Sequence, residues 1–161
     1  MKKDKHIEYY PNGQKKKEGT YTDGKMDGLW IDWYENGQKY HERTFIDGYV
    51  EGLDIRYHKN GHYNRVITTK RGQTDGLDTF YYENGQKKTE EEMIPYTIND
   101  GYVKVWFEDG QKKLEGTYNN GERNGKWTYY NFDGSVREVK DYDKDDYDEK
   151  DHHLKGSDIN Y

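Results

Sequence analysis

Cysteine and alanine are absent from this 161-residue chain, and it has only two prolines. Without cysteine there is no disulfide framework and no thiolate nucleophile, a composition that suits a reducing compartment. Without alanine, and with 18 glycines, a helical protein is nearly excluded. Aliphatic residues are also scarce: Leu, Ile, Val and Phe number 5, 8, 6 and 4. That is a composition in which disorder becomes a serious reading. A net charge of only −6, with 18 Tyr and 4 Trp to supply contact area, argues against it. No run approaches the roughly 18 apolar residues of a membrane helix. No apolar stretch follows the basic start Met1-Lys2-Lys3-Asp4-Lys5, so no signal peptide is read there. The cytoplasm is the expected location; the alternative is the envelope or cell surface, reached by a leader since trimmed.

What the chain has is a repeat. A turn pair recurs as Asn12-Gly13, Asn36-Gly37, Asn60-Gly61, Asn84-Gly85, Asp109-Gly110 and Asp133-Gly134, with glycine spacings of 24, 24, 24, 25 and 24. Gly28, Gly52, Gly76, Gly101 and Gly125 form a second series with the same period. The one extra residue falls between Gly85 and Gly101, a segment that holds Pro95. Each unit reads as two β-branched and aromatic strands joined by Asn-Gly, the pair that best tolerates positive φ at both centres of a tight hairpin. The expected fold is all-β: a single-layer antiparallel meander of about five 24-residue hairpins, ten to twelve strands in all. Residues 1–7 read as a lead-in, 8–142 as the repeat domain and 143–161 as an acidic tail.

Aromatic residues form ladders at the repeat period. Tyr9, Trp33, Tyr57, Tyr81, Trp106 and Tyr130 are one, expected to face the core. Tyr21, Phe45, Thr69, Met93, Tyr118 and Tyr142 are another. The pattern Tyr-x-Asn-Gly-Gln-Lys-Lys, then Glu-Gly-Thr-Tyr, then Asn/Asp-Gly-x-x-x-Gly-x-Trp resembles the bacterial variant of the MORN repeat, most cleanly over residues 10–30 and 108–127. Unit three departs from it most: His62-Tyr63-Asn64 replaces Gln-Lys-Lys, and Val66-Ile67-Thr68-Thr69 replaces Glu-Gly-Thr-Tyr. Such repeats are similar to those of YwqK-type antitoxins, immunity partners of secreted toxins. The resemblance implies a binding scaffold without catalysis.

The residues offer little chemistry of their own. The only serines are Ser135 and Ser157, outside any Gly-x-Ser-x-Gly, and the recurring glycines fit hairpin turns better than a phosphate loop. No catalytic residue, cofactor or metal is therefore expected. Asp141, Asp143 and Asp145 open like a calcium loop, but Asp146 and His152 stand where Gly and Glu are wanted. Adjacent His152 and His153 read as part of a solvated tail. Residues 145–155 also carry the charge order of a short capping helix, acids first, then His152, His153 and Lys155. Lysines beside the turns (Lys15 to Lys17, Lys39, Lys87, Lys88, Lys112 and Lys113) would line one rim, but Glu18, Glu42, Glu90 and Glu115 recur beside them. Neither nucleic acid nor membrane is the expected partner.

Positions that vary between units are free for function. Two and four places after the second-series glycine stand Trp30, Asp32, Asp54, Arg56, Asp78, Phe80, Trp127 and Tyr129, all on one face by strand alternation. Their mixture of aromatic, Arg and Asp side chains has the composition of a protein interface. They are the candidate partner-binding residues. The expected partner is a protein, a basic toxin such as a nuclease suiting an acidic sheet. The alternative is an adhesin or scaffold at the cell surface. Oligomeric state is not legible at this level.

Overall fold

The computed structural model describes residues 1–93 and 100–143. Twelve strands run in sequence order through one antiparallel sheet. They are β1 (Lys3–Tyr9), β2 (Lys15–Thr22), β3 (Lys25–Trp33), β4 (Lys39–Ile46), β5 (Tyr49–Tyr57) and β6 (Tyr63–Lys70), then β7 (Gln73–Tyr81), β8 (Lys87–Met93), β9 (Gly101–Trp106), β10 (Lys112–Asn119), β11 (Glu122–Tyr130) and β12 (Val136–Asp141). The described residues contain no helix. The residues read as a lead-in supply β1. The 145–155 helix and the Pro95 segment lie outside the described residues.

The turns divide their work differently from the sequence expectation. At Asn12-Gly13 and its repeats only the glycine has positive φ. Gly13 N–H donates to the Tyr10 carbonyl at 2.9 Å and Tyr10 N–H to that of Gln14 at 2.8 Å, a turn closed by a glycine bulge. The Asn side chain does two jobs there. Asn12 Oδ1 accepts from Gln14 N–H at 2.9 Å, and its Nδ2 donates to the Glu35 carbonyl of the next unit at 3.1 Å. Positive φ at both centres belongs instead to the two-residue turns between units, Asp23-Gly24, Asp47-Gly48, Arg71-Gly72 and Asn120-Gly121. The Gly28 series does not turn the chain either; Gly28, Gly52, Gly76 and Gly125 lie inside β3, β5, β7 and β11, and Gly101 starts β9. Pairing shifts register beside Gly28, Gly52, Gly76 and Gly125, as at a bulge.

Arg71 stands out among those turns. At φ +50° it holds a left-handed conformation that Asp or Asn holds in its counterparts, and which a long side chain adopts at a cost. Arg71→Asn is expected to raise the unfolding free energy by about 0.5–1 kcal/mol. Urea titration followed by tyrosine and tryptophan fluorescence checks it.

The core lies on one side of the sheet, here called face A. Trp30 lies over Gly19, where an added Cβ would stand 2.0 Å from the ring, and is 1% exposed. Its indole N–H donates to the Thr20 carbonyl at 3.1 Å. The rings of Tyr21, His6 and Phe45 surround it at 5.0, 5.6 and 6.2 Å. Trp127 repeats the arrangement over Gly116, with Tyr118 and Tyr142 at 5.0 and 6.2 Å. Val103, Val105, Leu114 and Tyr129 pack with it into the main cluster. A glycine in mid-strand lets a tryptophan lie flat on the backbone, which is how a single layer buries a large ring.

Candidate functional site

This placement of the core corrects the sequence reading of the two faces. Of the eight candidate partner-binding residues, Trp30, Asp78, Trp127 and Tyr129 are buried. Asp32, Asp54 and Phe80 are half-buried, and only Arg56 is exposed. Trp30 and Trp127, read as surface anchors, are the best-buried rings of the fold. The ladder expected to face the core runs along the opposite side, face B. Tyr9 is 58% exposed, and Trp33, Tyr57, Tyr81, Trp106 and Tyr130 are half-buried. The reason is their position. The ladder sits at the strand ends beside the hairpin turns, over no strand glycine, so backbone cannot cover it.

The middle of face A is polar. Asp54 and Asp78 occupy the place of Trp30 in their units, and Arg43, Ile67 and Glu91 that of Gly19. His41 Nε2 meets Asp54 Oδ1 at 2.5 Å. Arg65 grips Asp78 with two donors, at 2.8 and 2.5 Å, and Arg43 donates to Asp32 at 2.6 Å. Burial alone would raise the Asp54 carboxyl, but the His41 hydrogen bond and the charges of His41, Arg56 and Arg43 hold it below its ordinary value. These pairs account for most of the charge on this face, so it offers structure more than an open site.

Glu91 is the strained member. It stands directly across from Asp78, and burial first, then that like charge, push its carboxyl up, against an opposing pull from Arg65. A carboxyl whose folded pKa is raised stabilises the fold below its unfolded pKa and loses that contribution as pH rises through the folded value. Glu91→Gln is therefore expected to raise the melting temperature at neutral pH. The gain should shrink as pH falls through the raised folded value and be gone below the ordinary glutamate value. Thermal melts at several pH values check it.

On face B most units carry one charged device. Lys15 pairs with Glu18 at 2.6 Å and lies 5.6 Å above the Trp33 ring of the next unit. Lys39 pairs with Glu42 beside Tyr57, Lys87 with Glu90 beside Trp106, and Lys112 with Glu115 beside Tyr130. The basic stripe expected on this rim is thus matched by carboxylates at each step. Unit three lacks the device. Tyr63 and Val66 stand where Lys39 and Glu42 stand one unit earlier, and Tyr63 stacks between Tyr57 at 5.5 Å and Tyr81 at 5.7 Å.

The result is a patch without charge. Between the strand glycines and the Asn-Gly turns, β5–β7 present Leu53, Ile55, Tyr57, Tyr63, Val66, Thr68, Leu77 and Tyr81 on face B, with Thr79 buried among them. Leu53, Tyr63 and Leu77 are 52, 47 and 44% exposed. Leu29, equally exposed, extends the leucine row onto β3. Burial first, then Glu42 and Tyr63, push the Tyr57 phenol up to about 12, so it stays neutral throughout the physiological range. Aromatic and aliphatic side chains contiguous on a surface mark an interaction site. The sequence signal was there, since unit three departs most from the repeat.

A family model described as the MORN repeat variant matches residues 5–23, 26–47, 75–94 and 99–120, together just over half of the chain. The gap at 48–74 contains both strands of the unit whose charges are missing. No curated protein matches the chain.

Proposed function

Because the chain belongs to the MORN repeat variant family, whose repeats suggest a protein-binding module, we propose that it is a non-catalytic immunity protein or antitoxin that occludes a toxin. The observation that carries the binding reading is the uncharged patch of unit three. A repeat sheet keeps its period where only folding constrains it. Here the period breaks at a surface position, and the break removes a Lys–Glu pair in favour of Tyr and Val. Tyr is among the residues on which interfaces concentrate their binding energy, and a fixed sheet loses little conformational freedom on association. A net charge of −6 suits a basic partner such as a nuclease, drawn in by the long-range field and held by the patch. The cytoplasm is where such a partner would be neutralised.

The test begins with capture of the bound protein from the source cell by the wild-type chain. It is repeated with a folded Leu53→Lys, Leu77→Lys variant, and the captured protein is then titrated by calorimetry. Occlusion predicts a partner that arrests growth when expressed alone and is silenced by co-expression, with the variant binding at least about 30-fold more weakly. Binding that stays within twofold removes the patch from the interface. A harmless partner resident in the envelope would favour the surface scaffold.

A further inference from the structure

The leucine row on face B has a fixed spacing. Leu29, Leu53 and Leu77 each follow the strand glycine of β3, β5 and β7, and they are 51, 52 and 44% exposed. Thr44 stands between the first two and Thr68 between the last two. Each leucine is two strands from the next, so the row repeats about every 9.6 Å across the strands. In β9 and β11 the same position passes to Tyr102 and Lys126, and the row ends. We propose that this row receives a basic amphipathic helix of the partner, laid across the strands, a step that rests on the protein-binding reading above.

Spacing selects the helix. Seven residues of α-helix make two turns and rise about 10.5 Å, so side chains seven apart settle in the successive gaps over Thr44 and Thr68. The difference from the row's own repeat closes when the helix crosses it at about 20–25°. Residues three and four along from the first then meet Leu53, which asks of the partner the apolar stripe of an amphipathic helix. An extended strand laid along the row returns to the same face about every 6.7 Å, out of step with the leucines. Two gaps with their flanking leucines take a helix of about four turns.

Charge sets the second requirement. Asp27, Glu51 and Asp75 stand on face B two places before the three leucines, about 6.7 Å away along the strands. Asp27 accepts from the Thr22 hydroxyl at 2.8 Å and Glu51 from the Arg71 N–H at 2.9 Å, bonds that leave both charges in place. On the other flank of the row Glu18 and Glu42 each hold a lysine. Lys25 and Lys70 share the face with the three acids, yet among the described residues none of the three forms an ion pair. A helix about 10 Å wide over the leucines brings one flank above these carboxylates, where Lys or Arg would meet them. Residues 144–161 of the chain itself, with six acids and three lysines, carry the wrong sign for that flank.

A designed peptide tests this with the full chain. The probe is a dye-labelled helix of about 18 residues, with Leu at heptad spacing and Lys along one flank, and fluorescence anisotropy reads its binding. It should bind, and more weakly as salt is added. A peptide of the same composition with Leu at alternate positions should bind at least about tenfold more weakly. Asp27→Asn, Glu51→Gln and Asp75→Asn together, in a chain folded by circular dichroism, should cost the helical probe about tenfold. Glu35→Gln, Glu83→Gln and Glu108→Gln make the same charge change at the exposed hairpin turns and should cost less than about twofold. The proposal is overturned if the helical probe fails to bind, if the alternating peptide binds as well, or if the two triple variants lose equally. The captured partner separates this from occlusion itself. If it is sensitive to Leu53→Lys with Leu77→Lys, but hydrogen exchange places the protected segment on a strand or loop, the helix is overturned and occlusion stands. A partner indifferent to those two substitutions overturns occlusion through the patch, while the peptide measurements still decide for or against the helix.

Discussion

Trp127→Ala is expected to lower the unfolding free energy by about 4 kcal/mol, and Trp33→Ala by about half of that or less. The difference rests on where the rings lie. Trp127 is 1% exposed, packed between Tyr118 and Tyr142, with its indole N–H bonded to the Thr117 carbonyl at 3.1 Å. Removing it opens a cavity that a single-layer sheet has no second layer to fill. It also leaves Val103, Val105 and Leu114 uncovered, the apolar centre of the C-terminal half. Trp33 is half-buried, with Lys15 Nζ 5.6 Å above its ring. The glycine beneath gives an independent check. An added Cβ at Gly116 would stand 2.2 Å from the Trp127 ring, so Gly116→Ala should displace the ring and cost a comparable amount. Urea unfolding of the three variants decides the assignment of faces. If Trp33→Ala and Trp127→Ala melt alike, face A is not the core.

Restoring the family pattern to unit three should cost the protein its partner and leave its fold intact. Tyr63→Lys with Val66→Glu rebuilds in β6 the pair that Lys39 and Glu42 form in β4. Partly exposed ion pairs change stability little, so the melt should move by less than about 1 kcal/mol. Binding should fall about a hundredfold, since the substitutions place two charges in the middle of an apolar contact and break the Tyr57–Tyr63–Tyr81 stack. The same pair of changes made at a unit that already carries the device has nothing to remove, which makes the experiment specific to unit three. Titration of the captured partner against the double variant measures it. Undiminished affinity would separate the repeat's divergence from its function.

The sequence carries the architecture almost completely, because period and turn chemistry are local. Glycine spacing marks the hairpins, and the strand count follows from it. It does not settle which face is buried. Alternation sorts Trp30 from Trp33 but not which of them lies inward. The deciding contact is Trp30 over Gly19, across a strand pair whose register shifts at a bulge. A glycine recurring at mid-strand, at Gly19 and Gly116, was the available signal of close approach, and it was spent on the repeat signature. The turn types were exchanged for a similar reason. Asn-Gly is the strongest tight-turn pair, yet here the Asn side chain is committed to the neighbouring unit's carbonyl, and the glycine alone takes the left-handed conformation.

Those rim bonds recur unit by unit. Tyr10, Tyr34 and Tyr82 donate to the carbonyls of Trp33, Tyr57 and Trp106 at 2.6, 2.8 and 2.9 Å, and Asn36, Asn60 and Asn84 repeat the reach of Asn12. Each ties one hairpin to the next and none skips a neighbour, so the sheet behaves as a chain of identical links. Tension between β1 and β12 acts across the strands, along the hydrogen bonds, and loads the links in series. Such a sheet yields by peeling, one hairpin at a time at low force, and each hairpin released lengthens the molecule by about the contour of 24 residues. As a mechanical element it is a zipper, whose outer hairpins can open and close while the patch on the middle one stays formed.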